Sequence, residues 1–456
     1  MLQLDARLFG DRRSALKSSF RKIPGSICAP LGFKAAAVFC DIKRVGTGKG
    51  SEKGRKDDLA LIVSDIPAAV AGMFTTNQVC AAPVKVSAKR VQHLARAIVV
   101  NSGNANACTG PQGLRDAEKM TEFAAQAVAA LYERRNQKES AVTDRRYRRI
   151  KSRGVLVCST GRIGEPMPMK NVERGIRKCA PLLARSTSNA RRVAEAIMTS
   201  DTRRKEIAVE FQVDNRIVRI GGICKGAGMI QPGMATMLAF ITSDVVIESR
   251  VLKHALKVAV QQSFNRISVD GDMSTNDSVI MLANGLAGNR KLVTRHTSLV
   301  TLQTALNFVT LELAKMIVRD GEGVSRFVRL NVRGARSMRD AELAARSIAN
   351  SSLVRTSWCG GDPNWGRILC ALGYSKAKVN ETIVDVGYSR AGEHEIVWGF
   401  RGGRPAGSLP KLARITSMKE FDVHVDLHLG RGEFTFYASD LTEDYVAFNK
   451  GDVTGG

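Results

Sequence analysis

Apolar and polar positions follow one another along the chain in patterns that predict a mixture of strands and helices. Residues 59–64 (LALIVS) and 95–101 (ARAIVVN) are short, nearly continuous apolar runs, as expected of buried strands, and residues 155–158 form another. Residues 117–132 predict a helix, because Met120, Phe123, Ala124, Val128 and Leu131 recur at three- and four-residue spacing. Residues 207–213 and 217–220 alternate on either side of Asp214, Asn215 and Arg216, which predicts a hairpin. A glycine-rich loop is expected over 221–233, then a strand over 236–247 that ends in a polar turn. Residues 251–264 and 299–318 predict helices. Residues 397–410 are rich in Gly, Pro and Arg and predict a loop, after which alternating strands return. No internal repeat is visible. The mixture implies an α/β or α+β architecture, and periodicity alone does not choose between them.

Composition changes this picture mainly by exclusion. The chain has 456 residues, enough for two or three domains with sizeable cores. No run of eighteen apolar residues exists, so no transmembrane helix is expected. The nine cysteines form no CxxC pair, which argues against a disulfide framework or a zinc ribbon and for a reducing compartment. His424 and His428 lie four apart in FDVHVDLHLG, where a strand would put both on one solvated face, so no metal is expected there.

The charge balance is unusual: 69 basic against 43 acidic residues, or +26. A polyanion partner is the first reading of such a surplus. Yet aromatic residues are only 5%, and no nucleic-acid module signature occurs. The charge therefore reads as a surface property, and neither nucleic acid nor membrane is an expected partner. Some of it lies in a block over 134–153, expected to be a solvated loop or a frayed helix end. More lies near the N-terminus, at Arg7, Arg12, Arg13, Lys17, Arg21 and Lys22. That stretch resembles an organelle transit peptide except for Asp5 and Asp11, so 1–31 is read as an extension, with the folded part starting near Gly32. The expected location is the cytoplasm, with an organelle matrix as the alternative.

Phosphate loops are not the chemistry here. GTGKGS (46–51) misses the P-loop spacing, and GAGMIQPG (226–233) lacks the third glycine of GxGxxG. The segment KGAGMIQPGMATMLAFITSD (225–244) is more informative. Pro232 and Gly233 bend the chain ahead of a small residue, Ala235, and Thr236 opens an apolar strand. In this context a threonine hydroxyl can attack its own preceding carbonyl. The N→O acyl shift gives an ester, and its hydrolysis frees an α-amine with an ordinary pKa near 8 that can serve as base for the same hydroxyl. Taken alone, a threonine that opens a strand after a turn is an ordinary feature.

Other segments join it: GRKDDLALIVSD, AGMFTTNQVCAAPV, ARAIVVNSGNANACTG, VCSTGRIGEPMPM, AIMTSDT, SFNRISVDGDMSTNDS, VRDGEGVSRFV, GGDPNWGRIL and SDLTEDYVAFN, in order from about residue 32 to 449. Together they resemble the bifunctional arginine-biosynthesis acetyltransferases, the glutamate N-acetyltransferase / ornithine acetyltransferase family. The resemblance implies a layered α/β sandwich of the self-cleaving, N-terminal-threonine nucleophile type. It implies cleavage between Ala235 and Thr236 into an α chain (32–235, after the extension) and a β chain (236–456), assembled as an α2β2 heterotetramer.

Thr236 would take the acetyl group of N2-acetylornithine and pass it to glutamate. Thr160 and Gly161 of the CSTG motif would form the oxyanion hole; for Thr160 the structural alternative is a helix N-cap. Substrate would be bound by Thr199, Lys225, Thr236, Glu322, Asn449 and Thr454, with Thr202 an alternative to Thr199. Lys225 is expected to meet the substrate carboxylate and Glu322 the ornithine amine. No cofactor or metal is implied, and acetyl-CoA as a further acetyl donor stays open. An amide hydrolase on the same scaffold is the competing chemistry. The tail departs from the family: members end like YVxINADYTT, whereas this chain reads YVAFNKGDVTGG. Asp270, Asp272, Asn276, Asp362, Asn364 and Arg367 lie in matching motifs without an assigned role.

Overall fold

The structure is a computed structural model and describes residues 20–42, 56–136, 150–231, 237–294 and 296–450. In chain order the first half carries β1 (Phe20–Lys22), β2 (Phe33–Val38), β3 (Leu59–Phe74), α1 (Ala82–Arg90), β4 (Ala95–Asn104), α2 (Gly110–Asn136), β5 (Val155–Arg162), α3 (Met169–Cys179), α4 (Thr187–Ala196), β6 (Lys205–Val213) and β7 (Arg216–Lys225). The second half continues with β8 (Leu238–Ser243), α5 (Ser249–Gln261), β9 (Ile267–Ser268), β10 (Ser278–Ala283), α6 (Leu299–Arg319), β11 (Phe327–Ala335), α7 (Met338–Asn350), α8 (Ser352–Cys359) and α9 (Trp365–Gly373). It ends with β12 (Asp385–Arg390), β13 (Val397–Arg401), β14 (Arg404–Pro405), α10 (Leu409–Thr416), β15 (Glu420–Asp426), β16 (Gly432–Ser439) and α11 (Glu443–Asn449).

The larger sheet runs β1-β6-β7-β8-β10-β3-β4-β5, with β2 paired to β3. Strand β3 changes partners along its length. Its first part pairs with β2 and β4, its last part with β10, and the register slips between Val63 and Ala68, where Pro67 removes a backbone donor. The two parts of the sheet thereby face each other across a shared core. In β4, Ile98 and Val100 point into it; in β8, Leu238 and Phe240 do; in β10, Ile280 and Leu282 do. The intervening residues point outward under helices. Ala97 and Val99 pack with α2 and α3, and Ala239, Ile241, Val279 and Met281 pack with α5 and α6. This alternation makes a layered α/β sandwich of helix, sheet, sheet and helix. Each fully buried aliphatic side chain contributes about 1.5–3 kcal/mol relative to exposure, so these cores supply most of the favourable energy.

A second sheet, β14-β13-β12-β15-β11-β16-β9, covers one face with helices from the α7–α10 region. In β11, Val328, Leu330 and Val332 enter that core, while Arg329 and Arg333 on the opposite face pair with Asp422 and Asp426.

Several expectations change. The folded part starts ahead of Gly32: β1 pairs with β6, Phe20 packs on Phe308 with ring centroids 4.7 Å apart, and Ile27 is fully buried. A three-residue strand is too short to show a period. The loop expected from residue 221 is strand as far as Lys225, because the glycines serve close approach: a Cβ on Gly221 would lie 1.9 Å from the Ser26 carbonyl oxygen. Residues 397–405 form a hairpin whose turn is Gly402-Gly403, both at positive φ. His424 and His428 do not share a strand face. His428 lies past the end of β15 at φ +50° and meets Asp385, while His424 contacts Ser389 Oγ at 2.8 Å. The helix over 117–132 is longer than expected, and residues 137–149 of the basic block lie outside the described residues.

Candidate active site

The site residues gather where β5, β7 and the turn after α4 meet. Thr160 is not a helix cap. It lies in β5, opposite Ser102 of β4, and is buried. Gly161 follows at φ +131°, where the β4–β5 register slips. A Cβ there would sit 2.3 Å from the Gly103 carbonyl carbon, so only glycine fits this bulge. Asn276 braces the strand from the other side, donating its side-chain N–H groups to the carbonyls of Ala105 and Ser159 at 2.7 and 2.8 Å.

Lys225 is the last residue of β7 and is buried. Its Nζ donates to Thr199 Oγ1 at 2.7 Å and to Thr160 Oγ1 at 3.2 Å. The CSTG threonine, the TSDT threonine and the KGAGM lysine, from three distant segments, thus form one cluster. Thr202 points elsewhere: its N–H and hydroxyl both bond Asp320, so of the two threonines it is Thr199 that joins Lys225.

Burial pushes the Lys225 ammonium down, and the nearby Lys205 adds to this, while Asp201 and Glu322 act against it. Behind Lys225 lies a charge network the sequence reading did not single out. Asp201 accepts from Thr199 N–H at 3.0 Å, Gly226 N–H at 2.7 Å and Lys205 Nζ at 2.6 Å, and Lys205 also reaches Asp320 at 2.5 Å. Burial alone would raise the Asp201 carboxyl. The Lys225 and Lys205 ammoniums and these hydrogen bonds outweigh it and hold the group down at about 2. Asp201 stands in the quoted motif AIMTSDT two residues past Thr199, which was the available signal. Lys205 and Asp320 lie 115 residues apart, and nothing in the sequence links them.

Glu322 sits just past α6. Its N–H donates to the Ala227 carbonyl at 2.9 Å, and its side chain accepts from Asn449 Nδ2 at 3.3 Å, so β7's outgoing loop and α11 meet on this residue. Its carboxyl packs on Gly228, where a Cβ would fall 2.4 Å from Oε2. Burial raises the Glu322 carboxyl; hydrogen bonds from Ser200 and Asn449 partly oppose this. Lys225 and Glu322 each feel the other's charge. The site therefore holds an ammonium and a carboxyl within electrostatic reach of each other.

Ala235, Thr236 and Thr454 lie outside the described residues. The first described residue after Thr236 is Met237, whose N–H donates to Asp277 Oδ1 at 2.9 Å. Asp277 is fully buried, and its Oδ2 has no hydrogen-bond partner; burial raises this carboxyl well above the usual range. Asp270, also without an assigned role, accepts from the N–H groups of Met229 and Ile230 and thereby pins the loop that leads toward Thr236. Among the described residues, no helix is long and apolar enough to cross a membrane.

Fold and site together define an α/β protein with a buried polar cluster in which an ammonium lies within electrostatic reach of a carboxyl. Comparisons with known proteins narrow the class. The ArgJ family profile matches residues 35–452. The arginine biosynthesis bifunctional protein ArgJ of Symbiobacterium thermophilum is 42% identical over 429 residues, 94% of this chain and 98% of that protein. The glutamate N-acetyltransferase of Methanocaldococcus jannaschii is 42% identical over 438 residues, again 94% and 98%. A solved ArgJ chain from Bacillus halodurans is 37% identical, covers 46% of this chain and 98% of that one, and has a TM-score of 0.44. The chain belongs to the ArgJ family, as its motifs implied, and is an enzyme of arginine biosynthesis.

Proposed function

We propose that this enzyme cuts itself between Ala235 and Thr236 and then moves an acetyl group from N2-acetylornithine to glutamate through an acetyl ester on Thr236. The observation that carries this reading is the Lys225 ammonium clasped between the hydroxyls of Thr160 and Thr199 and within electrostatic reach of Glu322. In the first half-reaction the Thr236 hydroxyl, with its α-amine as base, attacks the acetyl carbonyl. Thr160 Oγ1–H and the Gly161 N–H serve the developing oxyanion, a donor of this kind being worth about 3 kcal/mol of barrier. The C–N bond breaks, the departing nitrogen takes a proton, and ornithine leaves. The glutamate amine then attacks the ester, N-acetylglutamate forms and the Thr236 hydroxyl is restored.

Lys225 is suited to the α-carboxylate and Glu322 to the side-chain amine of ornithine, with Thr199 and Asn449 beside them and Thr454 supplied by the tail. No cofactor takes part in this scheme. The two chains stay associated, as an α2β2 assembly. A denaturing gel of active protein tests the scheme: two bands are expected, and Thr236→Ala should give one uncut, inactive band. A single full-length band from active protein sinks it. Parallel assays with acetylornithine and with acetyl-CoA as donor separate the one-function from the two-function enzyme, and acetate released without glutamate would mark a hydrolase.

A further inference from the structure

We infer that Lys225 is a positioning residue for the reaction, acting through Thr160, in addition to any contact it makes with substrate. The inference rests on the acetyl-transfer reading above and concerns which way one hydroxyl proton points. A lysine ammonium has three N–H donors and no acceptor. The Lys225 Nζ lies 3.2 Å from Thr160 Oγ1 and 2.7 Å from Thr199 Oγ1, so both hydroxyls must accept from it. The Thr160 proton is then directed away from Nζ. Among the described residues no group accepts that proton, so it stays available to the space in front of β5. A hydroxyl whose lone pair is held by a cation is polarised, and its O–H becomes a stronger donor. An oxyanion hole needs a donor fixed before charge develops. An unrestrained threonine hydroxyl would have to give up part of its rotation at that moment.

The surroundings hold Lys225 at this task. It is buried, and the carboxylates that face it, Asp201, Glu322 and Asp277, act on it by charge. Asp201 is committed to Thr199 N–H, Gly226 N–H and Lys205, so it fixes the residues on either side of the lysine cluster without taking Nζ for itself. Two of the three Nζ donors are therefore held by protein hydroxyls, which leaves one for a substrate carboxylate.

The two roles predict different kinetics. A lysine that only holds substrate contributes uniformly to ground and transition states, and its loss raises KM while kcat holds. A lysine that fixes the Thr160 donor contributes in the transition state, and its loss lowers kcat. The test measures acetyl transfer from N2-acetylornithine to glutamate by the self-processed protein, in wild type, Lys225→Met, Lys225→Arg, Thr160→Val and the Lys225→Met/Thr160→Val double variant. Lys225→Met should lower kcat roughly 100-fold, the scale of a lost oxyanion donor. Lys225→Arg, which keeps charge and donors, should recover about tenfold of that. The double variant should be no slower than the slower single variant within about threefold, because both changes remove one device. If Lys225→Met does not fold, Lys225→Gln takes its place with the same expected split. A rise in KM at unchanged kcat, or a double variant whose loss equals the product of the single losses, overturns the inference. Absence of acetyl transfer in the wild type overturns the functional reading itself, and the two failures are distinguishable.

Discussion

Asp201→Asn tests whether the buried charges behind Lys225 hold the site together. The carboxylate is completely enclosed and accepts from Thr199 N–H at 3.0 Å, Lys205 Nζ at 2.6 Å and Gly226 N–H at 2.7 Å. Asparagine keeps the shape but has one acceptor oxygen, and its NH2 group would face a donor. At least one of the three hydrogen bonds is lost, and Lys205 retains only Asp320 as a charge partner. Removing one partner of a buried pair typically costs about 3–5 kcal/mol. The retained oxygen and Asp320 place the expected loss near the lower figure, about 3 kcal/mol.

The pH dependence gives an independent check. The Asp201 carboxyl is held at about 2 against an ordinary 3.8. That depression corresponds to about 2 kcal/mol of stability at neutral pH. Because the folded-state value is the lower one, this contribution is complete above the ordinary value and is lost as pH falls through 3.8 toward about 2. Urea unfolding followed by tryptophan fluorescence should show a wild-type-to-variant gap that is flat from about pH 8 to about pH 5 and narrows below about pH 4. A variant within about 0.5 kcal/mol of wild type at neutral pH, or a gap that widens on acidification, would refute the reasoning.

Two glycines give further tests. Gly161→Ala should lower stability by about 2–3 kcal/mol and kcat with it, since the new Cβ meets the Gly103 carbonyl carbon at 2.3 Å at a left-handed φ; an unchanged melting temperature would contradict the bulge argument. Gly228→Ala should displace Glu322, whose Oε2 lies 2.4 Å from the added carbon, and raise KM for acetylornithine about tenfold, or about 1.4 kcal/mol, in a folded enzyme. An unchanged KM would remove Glu322 from substrate binding.

Much of the sandwich was legible because buried strands and amphipathic helices write their period into the chain. Residues 59–64, 95–101 and 207–213 were readable as strands from apolar content and alternation. The passage of β3 through Pro67 was not, because the break in one pairing is repaired by a new partner, β10, that lies far along the chain. The strand ending of the 221–225 glycines was also hidden. The small size of Gly221 answers to Ser26 and that of Gly222 to Leu313 and Val309, which the local sequence does not show.

The same division runs through the site. The residue types were determined by the sequence alone: a threonine after a bend, a Thr-Gly pair, one lysine and one glutamate, each in a motif with its own local spacing. The family followed from those motifs in order. Tertiary structure alone decided that Thr199 rather than Thr202 faces Lys225, that Lys225 donates to Thr160, and that Asp201, Lys205 and Asp320 form one buried network. The physical reason is that hydrogen bonds and charge interactions act over a few ångströms in space. The chain brings such groups together only when its sheets close over a common core.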